Sequence, residues 1–116
     1  DWQWKWPLKG SVVESFDLGK SRKGIRVKNE SSKQINPAAP GNVVYAGSGL
    51  RGYGNLVIIK HSDKVLSAYA NNEDILVEVG QSITQADPIS NLNENQIVYF
   101  EIRRDGSPVD PLQFLK

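Results

Sequence analysis

Apolar and polar positions alternate with a period of two through most of the chain. Ser11-Val12-Val13-Glu14-Ser15-Phe16 alternates after a turn at Lys9-Gly10, and Gly24-Ile25-Arg26-Val27 alternates as well. Asn42-Val43-Val44-Tyr45-Ala46 is β-branched and aromatic, opened by Pro40-Gly41 and closed by Gly47-Ser48-Gly49. Runs of this kind between turn residues predict strands. Residues 54–60 and 65–70 predict two more, the second ending at Asn71-Asn72, and residues 75–80 predict a short one stopping on a turn glycine. Successive side chains of a strand leave on opposite faces. In residues 98–103, Val98, Phe100 and Ile102 are therefore expected in the core, with Tyr99, Glu101 and Arg103 on a surface or groove. No segment sustains a helical period over ten residues, and the polar stretches 29–34 and 91–96 predict loops. Trp2, Trp4 and Trp6 alternate too, before Pro7. An edge strand laying one aromatic face on the core is expected there, with a binding role for exposed indoles as the alternative. The pattern predicts a mainly β single domain over residues 1–116, with antiparallel sheets in a partly open sandwich or barrel.

Composition narrows what such a fold can do. The 116 residues suffice for one core. Fourteen Lys and Arg against 13 Asp and Glu leave a net charge of +1, which gives no case for a nucleic-acid footprint. No run approaches the roughly 18 apolar residues of a membrane span. The absence of cysteine excludes disulfides and thiolate metal sites. His61 is the single histidine, so imidazole chemistry has one group to work with. The chain opens at Asp1 without a signal segment, and an upstream anchor stays open.

Several blocks recur in a recognisable order: Trp6-Pro7-Leu8-Lys9-Gly10, Gly41-Asn42-Val43-Val44-Tyr45-Ala46-Gly47, and Leu50-Arg51-Gly52-Tyr53-Gly54-Asn55 running on to Ile58-Ile59-Lys60-His61. Then come Ser67-Ala68-Tyr69-Ala70-Asn71-Asn72, Val79-Gly80-Gln81, Tyr99-Phe100-Glu101-Ile102-Arg103 and Val109-Asp110-Pro111-Leu112. Over almost the whole chain this resembles the LytM, or M23 peptidase-like, domain, and within it the amidase-activator branch of the NlpD and EnvC type. Active members of that family hold zinc with the His and Asp of a His-x-Gly-x-Asp segment and the second His of a His-x-His strand. A further His and the first His of the pair assist the attacking water, giving three ligands and an open position. Carried across, the resemblance puts Arg22 and Arg26 at the first two ligands, Ile97 and Tyr99 at the His-x-His pair, and Asn71 at the assisting His. Arginine keeps its proton at any relevant pH and cannot donate to zinc. The resemblance therefore implies a degenerate domain with no catalytic residue, no metal and no cofactor.

It also implies a central groove where substrate and metal once sat, walled by Lys23, Arg26, Tyr53, Tyr69, Asn71, Tyr99 and Arg103. Tyrosine and arginine are enriched at interface hot spots, and a basic aromatic groove suits an acidic or amphipathic segment. In the activator branch, the expected occupant is the regulatory helix of a periplasmic zinc-dependent N-acetylmuramoyl-L-alanine amidase. Its capture would promote peptidoglycan hydrolysis at cell division. The resemblance further implies a periplasmic location, as the C-terminal domain of an outer-membrane lipoprotein or envelope protein, and nothing demands more than a monomer. Blander local readings stay open. Tyr53 would be a turn aromatic, Tyr69 a core-rim residue with its hydroxyl satisfied locally, Lys23 and Arg26 solvated charges, and Asn71-Asn72 a turn. Glu101 is expected to pair with a neighbouring base. Three other functions compete. A wall-anchoring module would bind glycan or stem peptide, and an M23-type endopeptidase would need a relocated metal site. A swinging-arm carrier would need a hairpin-tip lysine, and none occurs between Lys64 and Lys116.

Overall fold

The computed structural model describes residues 2–30 and 33–116, so Ser31 and Ser32, within the loop expected over 29–34, lie outside the described residues. The alternating stretches form strands β1 (Gly10–Glu14), β2 (Ile25–Asn29), β3 (Gln34–Ile35), β4 (Gly41–Gly47), β5 (Asn55–Lys60) and β6 (Val65–Ile75). They continue as β7 (Ser82–Ile83), β8 (Ser90–Leu92), β9 (Ile97–Arg104) and β10 (Ser107–Val109). The sheet runs β1-β2-β9-β6-β5-β4-β7 without closing, with β10 on β9, β8 on β6 and β3 on β8. All its ladders are antiparallel. Among the described residues the only helical pieces are single 3-10 turns at Leu18–Lys20 and Pro111–Gln113. The expected mainly β, incompletely closed architecture is what forms.

Register explains which face is which. Ile25 lies opposite Phe100, Phe100 opposite Tyr69, and Tyr69 opposite Val57. All four are fully buried, and with Val27, Ile59 and Ile102 they make the centre of the core. One position along each strand, the other face carries the rows Arg26–Tyr99–Ala70, Glu101–Ala68–Ile58 and Arg103–Leu66–Lys60. A one-residue slip of any central strand would exchange these rows with the core, so burial of the apolar set fixes the register.

Four local expectations need correction. Residues 75–80 do not form a strand: Ile75 ends β6, and Val79 and Gly80 sit in a turn. Only Val77 of Leu76, Val77 and Val79 is buried, and Gly80 takes φ +100, which glycine adopts without strain. Residues 65–70 run on to Ile75, because Asn71 takes a left-handed φ of 71 and a bulge at Asn72–Asp74 lets β6 turn to pair with β8. Asn91 and Leu92, expected in a loop, belong to β8, where Leu92 is buried opposite Asn72, and Gln34 belongs to β3. The tryptophan segment is not a strand, although its alternation is real: Trp2, Trp4 and Trp6 are half-buried while Gln3 and Lys5 are exposed. Trp2 and Trp4 pack on His61, and Trp4 also meets Phe114.

Candidate binding groove

The face opposite the core is hollow because its middle rows are built from small residues. Ala70 and Ala68 occupy β6 beside Tyr99 and Glu101 of β9, and Gly24 precedes β2. A Cβ on Gly24 would collide with the Phe100 carbonyl oxygen and lie 2.8 Å from Glu101 Cγ, so this approach of backbone to β9 requires glycine. Around the floor, a hollow of about 340 Å³ is lined by Glu14, Arg22, Lys23, Arg26, Arg51, Tyr53, Asn71 and Tyr99, among others. Another depression of about 440 Å³ runs along Trp6 to Gly10, Gln34 and Asn36 and gathers one charged side chain, Lys9. The basic hollow gathers five, four of them cationic, and is the stronger candidate for recognition. Arg26 Nε pairs with Glu14 at 3.3 Å and its guanidinium lies 5.1 Å from the Tyr99 ring centroid. Arg22 reaches the same carboxylate at 3.9 Å.

Glu101 ties the walls together. Its carboxylate is buried and accepts from Tyr99 Oη at 2.6 Å, Tyr53 Oη at 3.2 Å and Arg103 Nε at 2.8 Å. Partial burial, then the hydrogen bond to Glu101 and its charge, push the Tyr99 hydroxyl well above its ordinary range. Burial followed by the same carboxylate raises Tyr53. For Arg103, burial acts to lower the pKa, but the hydrogen bond and charge of Glu101 outweigh it and raise the pKa. Both tyrosines are thus held as hydroxyl donors and Arg103 as a cation, each aimed by one acceptor.

Of the residues expected in the groove, Lys23, Arg26, Tyr53, Asn71 and Tyr99 line this one hollow. Arg103 lies beside it, in an adjoining apolar hollow that Tyr53 also lines. Ile97 borders a separate small depression with Arg26, Asn71, Asn93 and Asn95. Tyr69 is a correction: it is fully buried on the core face and cannot wall the groove. Its hydroxyl accepts from the Ala38 N–H at 2.9 Å and meets Ser67 Oγ at 2.6 Å, and burial pushes its pKa up to about 12. Sequence reasoning missed Glu14, Arg51, Leu50, Leu56, Ile58, Leu66 and the alanine floor. It placed Glu101 with a base, which Arg103 is, without seeing that both tyrosines converge on the same carboxylate.

A divalent metal does not fit this donor set. By the resemblance, the three ligand positions hold two guanidinium groups and a phenol (Arg22, Arg26, Tyr99) and the two assisting positions hold Ile97 and Asn71, and Arg26 is already paired with Glu14. Among the described residues no three His, Cys, Asp or Glu side chains come together as a metal cluster. His61 lies away from the groove, with Nδ1 2.8 Å from the Pro40 carbonyl, Nε2 2.7 Å from Ser67 Oγ, and its ring against Trp2 and Trp4. Burial lowers its pKa, opposed by the Pro40 carbonyl. The carbonyl can only accept, so Nδ1 carries the proton and Nε2 accepts from Ser67.

Comparison with known proteins identifies the family and the fold. A family model described as "Peptidase family M23" matches residues 20–111. The chain is 44% identical over 117 residues to the "Lipoprotein NlpD/LppB homolog" of Pseudomonas aeruginosa, covering 97% of this chain and 39% of that protein. It is 42% identical over 117 residues to the "Murein hydrolase activator NlpD" of Escherichia coli K12, covering 97% of this chain and 31% of that protein. The chain therefore spans well under half the length of these curated relatives. In fold it matches Csd3 of Helicobacter pylori with a TM-score of 0.86 at 21% identity, over 98% of this chain and 33% of that one.

Proposed function

The chain belongs to peptidase family M23, and from that premise we propose that it is a non-catalytic activator of a periplasmic N-acetylmuramoyl-L-alanine amidase. In this reading it grips the amidase's regulatory helix in the basic groove and so promotes peptidoglycan hydrolysis at cell division. The observation that carries the reading is the groove's side-chain set. By the resemblance, Arg22, Arg26 and Tyr99 fall at the metal-ligand positions of an active hydrolase and Asn71 at an assisting one; here Glu14 holds the two arginines and Glu101 holds Tyr99. The names of the relatives, murein hydrolase activator and lipoprotein, support an activator's role and an envelope location; in this reading the domain is the C-terminal part of an outer-membrane lipoprotein or envelope protein.

Activation follows as a population shift. A domain that binds the amidase with its helix withdrawn better than with the helix in place pulls the equilibrium toward the open enzyme. Moving it from 1:99 to 99:1 takes about 5.5 kcal/mol of preference. A few tyrosine and arginine hot-spot contacts, each worth about 2 kcal/mol or more, are sufficient.

The test is digestion of purified peptidoglycan by a zinc-dependent amidase of this class, with and without the domain. Stimulation by the domain, and no digestion by the domain alone, is the expected result. Charge reversal at Arg103 would set two carboxylates side by side at Glu101, so the exposed pair Lys23→Glu with Arg51→Glu, and separately Tyr99→Ala, are the cleaner variants. Both should lose stimulation while retaining the parent circular dichroism. Unimpaired stimulation by both would remove the groove from the reading. Cleavage of cross-links by the domain alone would replace the reading with an endopeptidase, and binding to sacculi without any effect on an amidase would replace it with a wall-anchoring module.

A further inference from the structure

The groove has two halves of opposite character. Beside the basic hollow lies a second of about 180 Å³, open between Leu50, Leu56, Ile58, Leu66 and Ala68, and Tyr53 lines both. In the register, Ala68 stands between Ile58 and Glu101, so a methyl group alone covers the floor there. Leu50 is 43% exposed at this site. An apolar cavity on the order of 150 Å³ admits a benzene-sized group, so this hollow matches one leucine- or phenylalanine-sized side chain. The basic half holds Arg22, Lys23, Arg26 and Arg51 against the single carboxylate of Glu14. Its excess of positive charge calls for carboxylates from outside. Between the halves, the Tyr53–Glu101–Tyr99–Arg103 cluster satisfies its own charge and forms the divider.

We propose that the groove reads a two-pronged feature of its partner: one bulky apolar side chain seated over Ala68, and a carboxylate set against the Arg22–Arg26–Arg51 cluster. This rests on the groove being a partner-gripping cleft and names the chemistry of the segment it grips. From Ala68 to Arg26 is two residues along the strand direction, Ala68 to Ala70 and Glu101 to Tyr99, and two strands across the sheet, β6 to β9 to β2. At roughly 3.3 Å per residue and 4.8 Å between strands, the span is on the order of 10–14 Å. On a helix rising 1.5 Å per residue, that span is about seven to nine residues, so the apolar and acidic positions fall on one face about two turns apart.

The probe is a dye-labelled amphipathic helical peptide with a leucine and a glutamate about seven residues apart on one face. Its companions carry Leu→Ala, Glu→Gln, or both changes, and binding to the domain is read by fluorescence anisotropy. The leucine change should weaken binding about tenfold or more, as expected for losing a buried leucine. The glutamate change should weaken binding and flatten its dependence on salt. On the domain, Ala68→Phe fills the apolar hollow, and Leu50→Glu, at a partly exposed site, charges it without disturbing the core. Each should weaken the parent peptide more than it weakens the Leu→Ala peptide. Equal binding of the leucine and alanine peptides, or parent-like affinity in both domain variants, overturns the proposal. Amidase stimulation is scored separately. If Tyr99→Ala abolishes stimulation while Ala68→Phe and Leu50→Glu leave stimulation and peptide affinity intact, the two-pronged reading fails and the activator reading stands. If the domain stimulates no amidase yet discriminates the peptides as described, the activator reading fails and the two-pronged reading stands.

Discussion

Replacing Glu101 with alanine should cost about 3 kcal/mol of folding stability, even though the residue lies on the groove face rather than in the core. Glu101 is 1% exposed, and its carboxylate accepts from two phenols and one guanidinium. A hydrogen bond to a charged group is worth about 1.5–3 kcal/mol net, and removing one partner of a buried ion pair costs about 3–5 kcal/mol. The upper part of that range does not apply. The Arg103 side chain is 29% exposed, so water takes over part of what it loses, and the Tyr53 bond is long at 3.2 Å. For a chain of this size, about 3 kcal/mol corresponds to a fall in Tm of roughly 12 °C. Glu101→Gln should fall between alanine and the parent, because the amide keeps one acceptor but turns an NH2 toward a donor. Thermal and urea unfolding followed by circular dichroism measure both variants. An alanine variant within about 1 kcal/mol of the parent would refute the claim that this carboxylate ties the groove walls together.

Two further outcomes follow from the geometry. Burial lowers the His61 pKa below its ordinary 6.5, so between the folded and unfolded values the unfolded chain binds more protons. The neutral imidazole's contribution is therefore complete above about pH 6.5 and is lost as pH falls toward the folded pKa; urea unfolding between about pH 7.5 and 5 should show stability declining, and His61→Gln should flatten that slope. A slope unchanged by the substitution would remove His61 as its source. Gly24→Ala drives a methyl group into the Phe100 carbonyl, which belongs to the sheet backbone and cannot swing aside, so β2 and β9 must separate locally. The expected loss is about 1–3 kcal/mol or more, read by urea unfolding, and a stability equal to the parent's would show that the strands give way freely.

How much of this was legible depended on whether a strand carried its own contrast. Residues 98–103 did, because Val98, Phe100 and Ile102 are uniformly apolar against Tyr99, Glu101 and Arg103, and the two faces sort as expected. Ser67-Ala68-Tyr69-Ala70 carried none. Serine and alanine are indifferent to burial, so nothing local says that Tyr69 faces the core and the alanines form a floor. That assignment comes from pairing with β9, some 30 residues away in sequence. Residues 75–80 carried strand propensity without strand partners: the Leu76 N–H goes to the Ile89 carbonyl and the Gly80 N–H to Val43. Propensity was overruled there by tertiary hydrogen bonding. Arg51, from the loop before β5, and Glu14, at the end of an edge strand, share a hollow with Arg26 only because the topology brings them to one face. No spacing in the chain encodes that arrangement.

The groove does not depend on a metal for its shape. Its floor is low because Gly24, Ala68 and Ala70 are small and share one face by the period of the strand, and the opposite face of the same strands is the core. Exchanging the side chains at the rim therefore leaves the concavity in place, since the floor and the register are fixed by burial on the far side. What changes is the rim's chemistry. A metal site needs deprotonated ligands converging on one point, and that demands basic lone pairs. Arg26 instead presents N–H donors and is held from within the wall by Glu14, while the Tyr99 hydroxyl is donated to Glu101. Donors fixed in this way are organised before a ligand arrives, so less ordering cost falls on the binding step. On this rim the arginines offer fixed N–H donors that suit carboxylates and carbonyls.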